Sequence, residues 1–240
     1  MHSPEDLCPQ QEDSSHLRGI QDRFLADLAR QYLHHLLQGE RQRPSELILN
    51  AVQEGRASVQ DIYLQVFQPV LYEVGRLWET NQVSVAVEHF CTAATQLVMS
   101  QLFPYILSTE KNGCSMVACC VGNELHEVGM RMVSDFFEMQ GWETYFLGAN
   151  CPSQDVLQAL EQKNAHILAI SVTMQSHLPR AQELIKLVSN QTSLQRLKIL
   201  IGGYPFVQNP DLARDLGAHG CGRDAAQALQ LAQKLVNCGE

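Results

Sequence analysis

The sequence predicts an all-helical domain followed by an α/β domain built on five parallel strands. Three observations lead there. Up to about Ser108, apolar residues recur at three- and four-residue spacing, the period of an amphipathic helix. After the polar run Thr109-Glu110-Lys111-Asn112-Gly113 the period changes, and short apolar runs alternate with helical stretches. Those runs are near-continuously apolar, as in strands covered by helices on both faces.

Residues 1–16 are polar and acidic and read as a flexible tail. The helical domain is expected over 17–110. Ile20, Phe24, Leu25, Leu28, Tyr32 and Leu36 give its first helix one apolar stripe. Gly39 and Pro44 punctuate the chain, and 45–54 forms a short second helix. Ser58 with Asp61 offers a capping signal for a third helix reaching about Glu79. Asn81-Gln82 breaks it, and Ser84 caps a fourth helix running to about Leu107. Short loops make these four helices an antiparallel bundle. Over 111–240, strands are expected at 114–121, 144–148, 166–172, 197–202 and, weakly, 219–222. Helices are expected at 127–140, 153–163, 179–190, 210–216 and 224–237.

Composition excludes several classes. With 45% hydrophobic and 18% charged residues, the chain has the material for a packed core. A net charge of −9 leaves no basic field for phosphates, so direct nucleic-acid binding is not expected. No run reaches eighteen apolar residues and the first fifteen lack a signal-peptide core, so a cytoplasmic protein away from the membrane is expected. Eight cysteines include no CxxC pair, which points to buried reduced thiols rather than zinc.

The most informative run is Glu124-Leu125-His126-Glu127-Val128-Gly129. It leaves a strand and enters a helix, so His126 stands at the carboxyl end of the sheet, where open α/β sheets bind ligands. A neutral imidazole is a common transition-metal ligand, and Glu124 two residues earlier is placed to fix its tautomer. Gly129 lets the backbone pass beneath a large flat ligand without a Cβ in the way. Ser171 and Thr173 end the third strand, Gly202-Gly203 the fourth, and Gly220 and Gly222 bracket the fifth. Any one of these glycines alone reads as a tight βα turn. As a set around His126 they leave a slot beside the sheet.

This constellation resembles the Rossmann-like (flavodoxin-like) cobalamin-binding domain of methionine synthase, corrinoid methyltransferase proteins and base-off mutases. Their pattern of acid-x-His-x-x-Gly, Ser-x-Leu/Thr and Gly-Gly is met by Glu124, His126 and Gly129, by Ser171-Val172-Thr173, and by Gly202-Gly203. The resemblance implies that His126 is the lower axial ligand of cobalt. It also implies that the displaced nucleotide tail lies among Ser171, Thr173, Gly202 and Gly203. Glu124 departs from the aspartate of the methyltransferase branch, which argues against a relay tuned like theirs.

The helical bundle corresponds to the cap over the upper corrin face in such proteins. Trp78, followed after nine residues by Glu88-His89, resembles the signature of CarH-type light-sensing domains and their shorter AerR-like relatives. That resemblance implies that Trp78, Glu88 and His89 surround an upper adenosyl group. Taken without it, Trp78 reads as core and Glu88-His89 as a first-turn acid beside an exposed histidine. The residue after the tryptophan is Glu79, not the histidine that caps cobalt in CarH after photolysis. His89 or water would take that place.

The expected function is therefore a photoreceptor. It would hold adenosylcobalamin, with methylcobalamin or hydroxocobalamin as other forms, and signal when light breaks the Co–C bond. With no room before the bundle for a DNA-binding domain, it would act on a protein partner such as a transcription regulator, or change its own homo-oligomer. A second reading is a corrinoid shuttle protein of a methyltransferase system, which shares the layout. A third is cobalamin storage or delivery. No catalytic pair is in view, so a sensor or binding protein is expected rather than an enzyme.

Overall fold

The computed structural model describes residues 16–107 and 110–236. The tail expected over 1–16 lies outside them, apart from its last residue. The chain divides into two compact units, Met1–Tyr105 and Ile106–Glu240.

In the first unit, α1 (Arg23–Leu37) starts where the Asp22 side chain accepts the Leu25 N–H at 2.9 Å. It buries Leu25, Leu28, Ala29, Tyr32 and Leu36 as one stripe. Helix α2 (Gln42–Gln53) begins before the expected position, because Pro44 falls in its first turn, where a missing N–H costs nothing. The Ser58–Asp61 capping box forms in both directions and opens α3 (Val59–Asp61). The helix then widens into a π-segment, Ile62–Phe67, before α4 (Gln68–Glu79). Pro69 has no N–H to offer the Gln65 carbonyl, and the turn before it takes up the mismatch, with Gln68 N–H reaching Tyr63 O. Ser84 caps α5 (Val85–Leu102), and Pro104 ends it short of Leu107 through a 3₁₀ turn, Phe103–Tyr105. Inside the unit, the buried Tyr32 hydroxyl donates to Thr95 at 3.1 Å and ties α1 to α5.

The second unit is a five-stranded parallel sheet in the order β2-β1-β3-β4-β5. This is the flavodoxin-like order. Its strands are β1 (Ser115–Cys120), β2 (Glu143–Phe146), β3 (Ile167–Ser171), β4 (Lys198–Gly202) and β5 (Gly220–Gly222). One face packs Val117, Leu168, Ile170, Ile199 and Ile201 against α7 (Ser153–Lys163) and α8 (Leu178–Ser189). The other packs Met116, Ala118, Ala169 and Leu200 against α6 (Val128–Met139) and α11 (Ala225–Leu235). Between β4 and β5 lie α9 (Tyr204–Gln208), which the periodicity did not indicate, and α10 (Asp211–Asp215).

The register places the site. Cys120 pairs with Ser171, Ser171 with Gly202, and Gly202 with Gly222, so four small residues form one row across the carboxyl edge. The order in which strands are added to the sheet reverses between β1 and β3, which opens a crevice there. Among the described residues no helix is long and apolar enough to cross a membrane. Cys91, Cys119, Cys120, Cys151 and Cys221 are free thiols, as expected. Cys114 departs from that expectation and is disulfide-bonded.

Candidate functional site

Beyond β1 the chain bridges from Val121 to Cys151 and turns sharply at Asn123, whose φ is +69°. Asn123 N–H donates to the Asn150 side chain at 2.8 Å, and Asn150 N–H returns to Glu124 O at 2.9 Å. These bonds tie the loops after β1 and β2 together and drive the Glu124 side chain inward. It is 0% exposed.

Burial of an unpaired carboxylate is costly, and Glu124 is paired on every side. Its Oε1 accepts the His126 backbone N–H at 3.1 Å and meets His126 Nδ1 at 2.5 Å. Its Oε2 accepts the N–H groups of Thr173 at 2.8 Å and Met174 at 3.1 Å, and meets His177 Nδ1 at 3.0 Å. Burial alone pushes this carboxyl up. The bonds from His126, His177, Met174 and Thr173 outweigh it and hold Glu124 well below the usual carboxylate range. An ionised acceptor on Nδ1 fixes the proton there and leaves the lone pair of His126 on Nε2. The ring is half-exposed, at 54%. Burial pushes the neighbouring Cys120 up to about 12, so it stays a thiol rather than a rival thiolate ligand.

The structure brings Glu124, His126, Ser171 and Thr173 together at the crevice between β1 and β3. Ser171 is buried in the row of small residues, and Thr173 meets Glu124 through its backbone. The glycines separate into two kinds. A Cβ on Gly203, at φ +120°, would lie 1.9 Å from Val172 O, and one on Gly202 would lie 3.2 Å from Gly222 O. The double glycine after β4 is thus required by the protein's own backbone, which the sequence did not reveal. Gly222 is likewise pressed by Ala228 of α11. Gly129 differs: it is exposed in the first turn of α6, and a Cβ there would meet nothing within 4 Å.

Sequence reasoning missed two things. His177, at the start of α8, is coupled to Glu124 across 53 residues. Leu125, Leu147, Met174 and Tyr204, which follow β1, β2, β3 and β4, are all exposed along the carboxyl edge. A large apolar residue just past each of four successive strands was a readable signal. It gives the edge a rim suited to a broad apolar ligand.

In the helical unit, Trp78 is the penultimate residue of α4 and 44% exposed, so it is not core. Glu88 and His89 lie in the first turns of α5. Glu88 Oε2 meets His89 Nδ1 at 2.5 Å, while its Oε1 accepts from the Thr92 hydroxyl at 2.9 Å. The His89 ring is 75% exposed. Among the described residues no group of three or more His, Cys, Asp or Glu is placed to hold a bare metal ion. A single oriented imidazole, a row of small residues and an apolar rim fit a metal carried inside a large organic ligand.

Comparison with known proteins agrees. Residues 115–230 match a family described as B12 binding domain, and residues 28–102 match a second family of the same description. Dimethylamine corrinoid protein 2 of Methanosarcina mazei is 26% identical over 193 residues, covering 80% of this chain and 83% of the relative. Dimethylamine corrinoid protein 3 of Methanosarcina acetivorans is 26% identical over 196 residues, covering 80% and 90%. The structure of the Methanosarcina barkeri monomethylamine corrinoid protein shares the fold, with a TM-score of 0.78 over 88% of this chain and 99% of that one, at 17% identity. The cofactor is a corrinoid of the cobalamin type.

These relatives overturn the photoreceptor expectation. Both of these Methanosarcina relatives are named as dimethylamine corrinoid proteins, not as light sensors, and they give no support to a transcription regulator as partner. The helical half matches a B12-binding family in its own right, and Trp78, Glu88 and His89 lie within the matched residues. Glu124 does not weigh against the relatives' class either. Its longer side chain reaches donors from both loops.

Proposed function

We propose, for a chain made of two B12-binding domains, the role of a corrinoid methyl carrier in a methyltransferase system. A corrinoid supplies a cobalt centre that takes up a methyl group and gives it back. His126 Nε2 would hold the cobalt, and Glu124 keeps the ring in the one tautomer that leaves this nitrogen its lone pair. Ser171, Thr173, Gly202 and Gly203 line the path of the nucleotide tail. The exposed Leu125, Met174 and Tyr204 cover apolar corrin surface and exclude water from it. In the helical domain, the exposed Trp78 and the Glu88–His89 pair offer an indole face and polar groups.

The observation that carries this reading is coverage. The dimethylamine corrinoid proteins match over 80% of this chain, so the likeness spans both domains and not the corrinoid-binding sheet alone. To test it, the cobalamin-loaded protein is reduced and mixed with a corrinoid-dependent methyltransferase and an isotopically labelled methylamine. We expect label on the carrier, and its release to an acceptor when a second methyltransferase is added. A holoprotein that binds cobalamin yet neither takes nor passes the label would overturn the reading.

A further inference from the structure

Glu124 bears two imidazoles, one on each oxygen. His126 sits on Oε1 and His177 on Oε2, the latter at 3.0 Å. His177 closes the 3₁₀ turn Gln175–His177 and caps the start of α8, and its side chain is only 19% exposed. The other two donors to Oε2 are backbone N–H groups of Thr173 and Met174, fixed by the course of the loop. His177 therefore adds a side-chain donor from the loop after β3 to the backbone donors that hold the carboxylate plane. A carboxylate free to rotate about its last bond would let the half-exposed His126 ring swing with it.

We infer that His177 is a positioning residue for the lower cobalt ligand, acting through Glu124. It donates Nδ1–H to Oε2, holds the carboxylate in plane, and so aims His126 Nε2. The inference rests on His126 being that ligand, and not on the methyl-carrier role. Partners one shell beyond a metal ligand commonly change metal affinity by about ten-fold or more.

The test uses cobalamin-loaded full-length protein in the Co(II) state. Nitrogen hyperfine splitting in its electron paramagnetic resonance spectrum, taken with histidine labelled with nitrogen-15 so that the cofactor's own base nitrogen is told apart, reports histidine ligation, and titration reports cobalamin affinity. His177→Leu keeps bulk but removes the donor. His177→Asn places an amide nitrogen where Nδ1 stands. We expect the Leu variant to lose roughly ten-fold in affinity, with a reduced nitrogen-coupled fraction, and the Asn variant to recover both. A Leu variant with wild-type splitting and affinity would overturn the inference. So would an Asn variant as impaired as Leu while the apoprotein melts normally. If Leu fails to fold, the Asn variant against wild type still decides, since a lost splitting in a folded Asn protein rejects the donor role. Absence of nitrogen splitting in the unsubstituted protein would instead reject His126 as ligand, separately from any result on methyl transfer.

Discussion

Glu124→Gln is the substitution whose outcome the geometry works out most fully. The amide must put its NH₂ where one of the two oxygens stands. At the Oε2 position it would face the N–H groups of Thr173 and Met174, two backbone donors that cannot turn away. At the Oε1 position it would face the His126 N–H, one donor, and His126 Nδ1, which can answer by moving its proton to Nε2. An unsatisfied buried donor costs about 1–3 kcal/mol, so the second orientation wins by the difference of one such group. The residual loss, one unsatisfied N–H and the charge on the remaining bonds, comes to about 2–4 kcal/mol. At roughly 2–4 °C per kcal/mol for a chain of this size, that is a fall of about 4–16 °C in the apoprotein melting temperature. The functional consequence is sharper. With the proton on Nε2, His126 has no lone pair for cobalt, and affinity should fall by at least about ten-fold with loss of nitrogen splitting. A Gln variant that melts as wild type and keeps the nitrogen-ligated spectrum would refute the tautomer argument.

The glycines divide into testable kinds. Gly203→Ala should cost the apoprotein about 2 kcal/mol or more before any ligand is present, because its Cβ meets Val172 O at 1.9 Å in a left-handed backbone. Gly129→Ala should leave the apoprotein midpoint unchanged or slightly higher, so that any lost cobalamin affinity reports the ligand itself. Equal apoprotein midpoints for the two variants in a denaturant titration would reject the distinction. At the opposite edge of the sheet, His219 Nδ1 accepts the Ile199 N–H at 3.0 Å, and burial, with Lys198 nearby, holds its pKa below the usual value. The unfolded chain then takes the proton more readily, so this contribution is complete above about pH 6.5 and is lost as pH falls through the lower folded value. His219→Asn, which keeps an acceptor that does not titrate, should shallow the slope of stability below about pH 6.5, and an unchanged slope would reject the assignment.

What the sequence made legible was whatever is written in local pattern. Strands β1, β3 and β4 announce themselves because both their faces are buried, and a run such as Ser115–Cys120, bounded by turn residues, is too short for a buried helix. The Ser58–Asp61 box and the Ser84 cap each rest on a spacing of three. Helix α9 was not legible, since five residues with Pro205 near the start give no periodicity to read. Nor was the π-segment, which depends on what Pro69 withholds from the turn before it. The Glu124–His126 pair stood two residues apart and could be named in advance. His177 could not, because its bond to Glu124 is made by the loop after β3 folding back over the loop after β1, with no short-range trace.

The same distinction accounts for the error over function. Trp78, Glu88 and His89 form a readable motif, and the structure leaves Trp78 and His89 exposed with Glu88 half-buried beside them. The motif points at most to a surface that a corrinoid could use, and says nothing of what is done with the cofactor once held. The lower site is of the same character. Five hydrogen bonds on one carboxylate lock the loops after β1 and β3 to each other across the crevice, so the orientation of His126 is set by the fold before any ligand arrives. A carrier has to meet its cofactor in more than one state without losing it, and an imidazole held this way needs no rearrangement of its own side as the group on the far side of the metal changes. The discriminating residues between a sensor and a carrier must then lie where partners dock, on surfaces whose chemistry follows no fixed spacing. That is why the corrinoid was legible from one short run of residues and the use made of it was not.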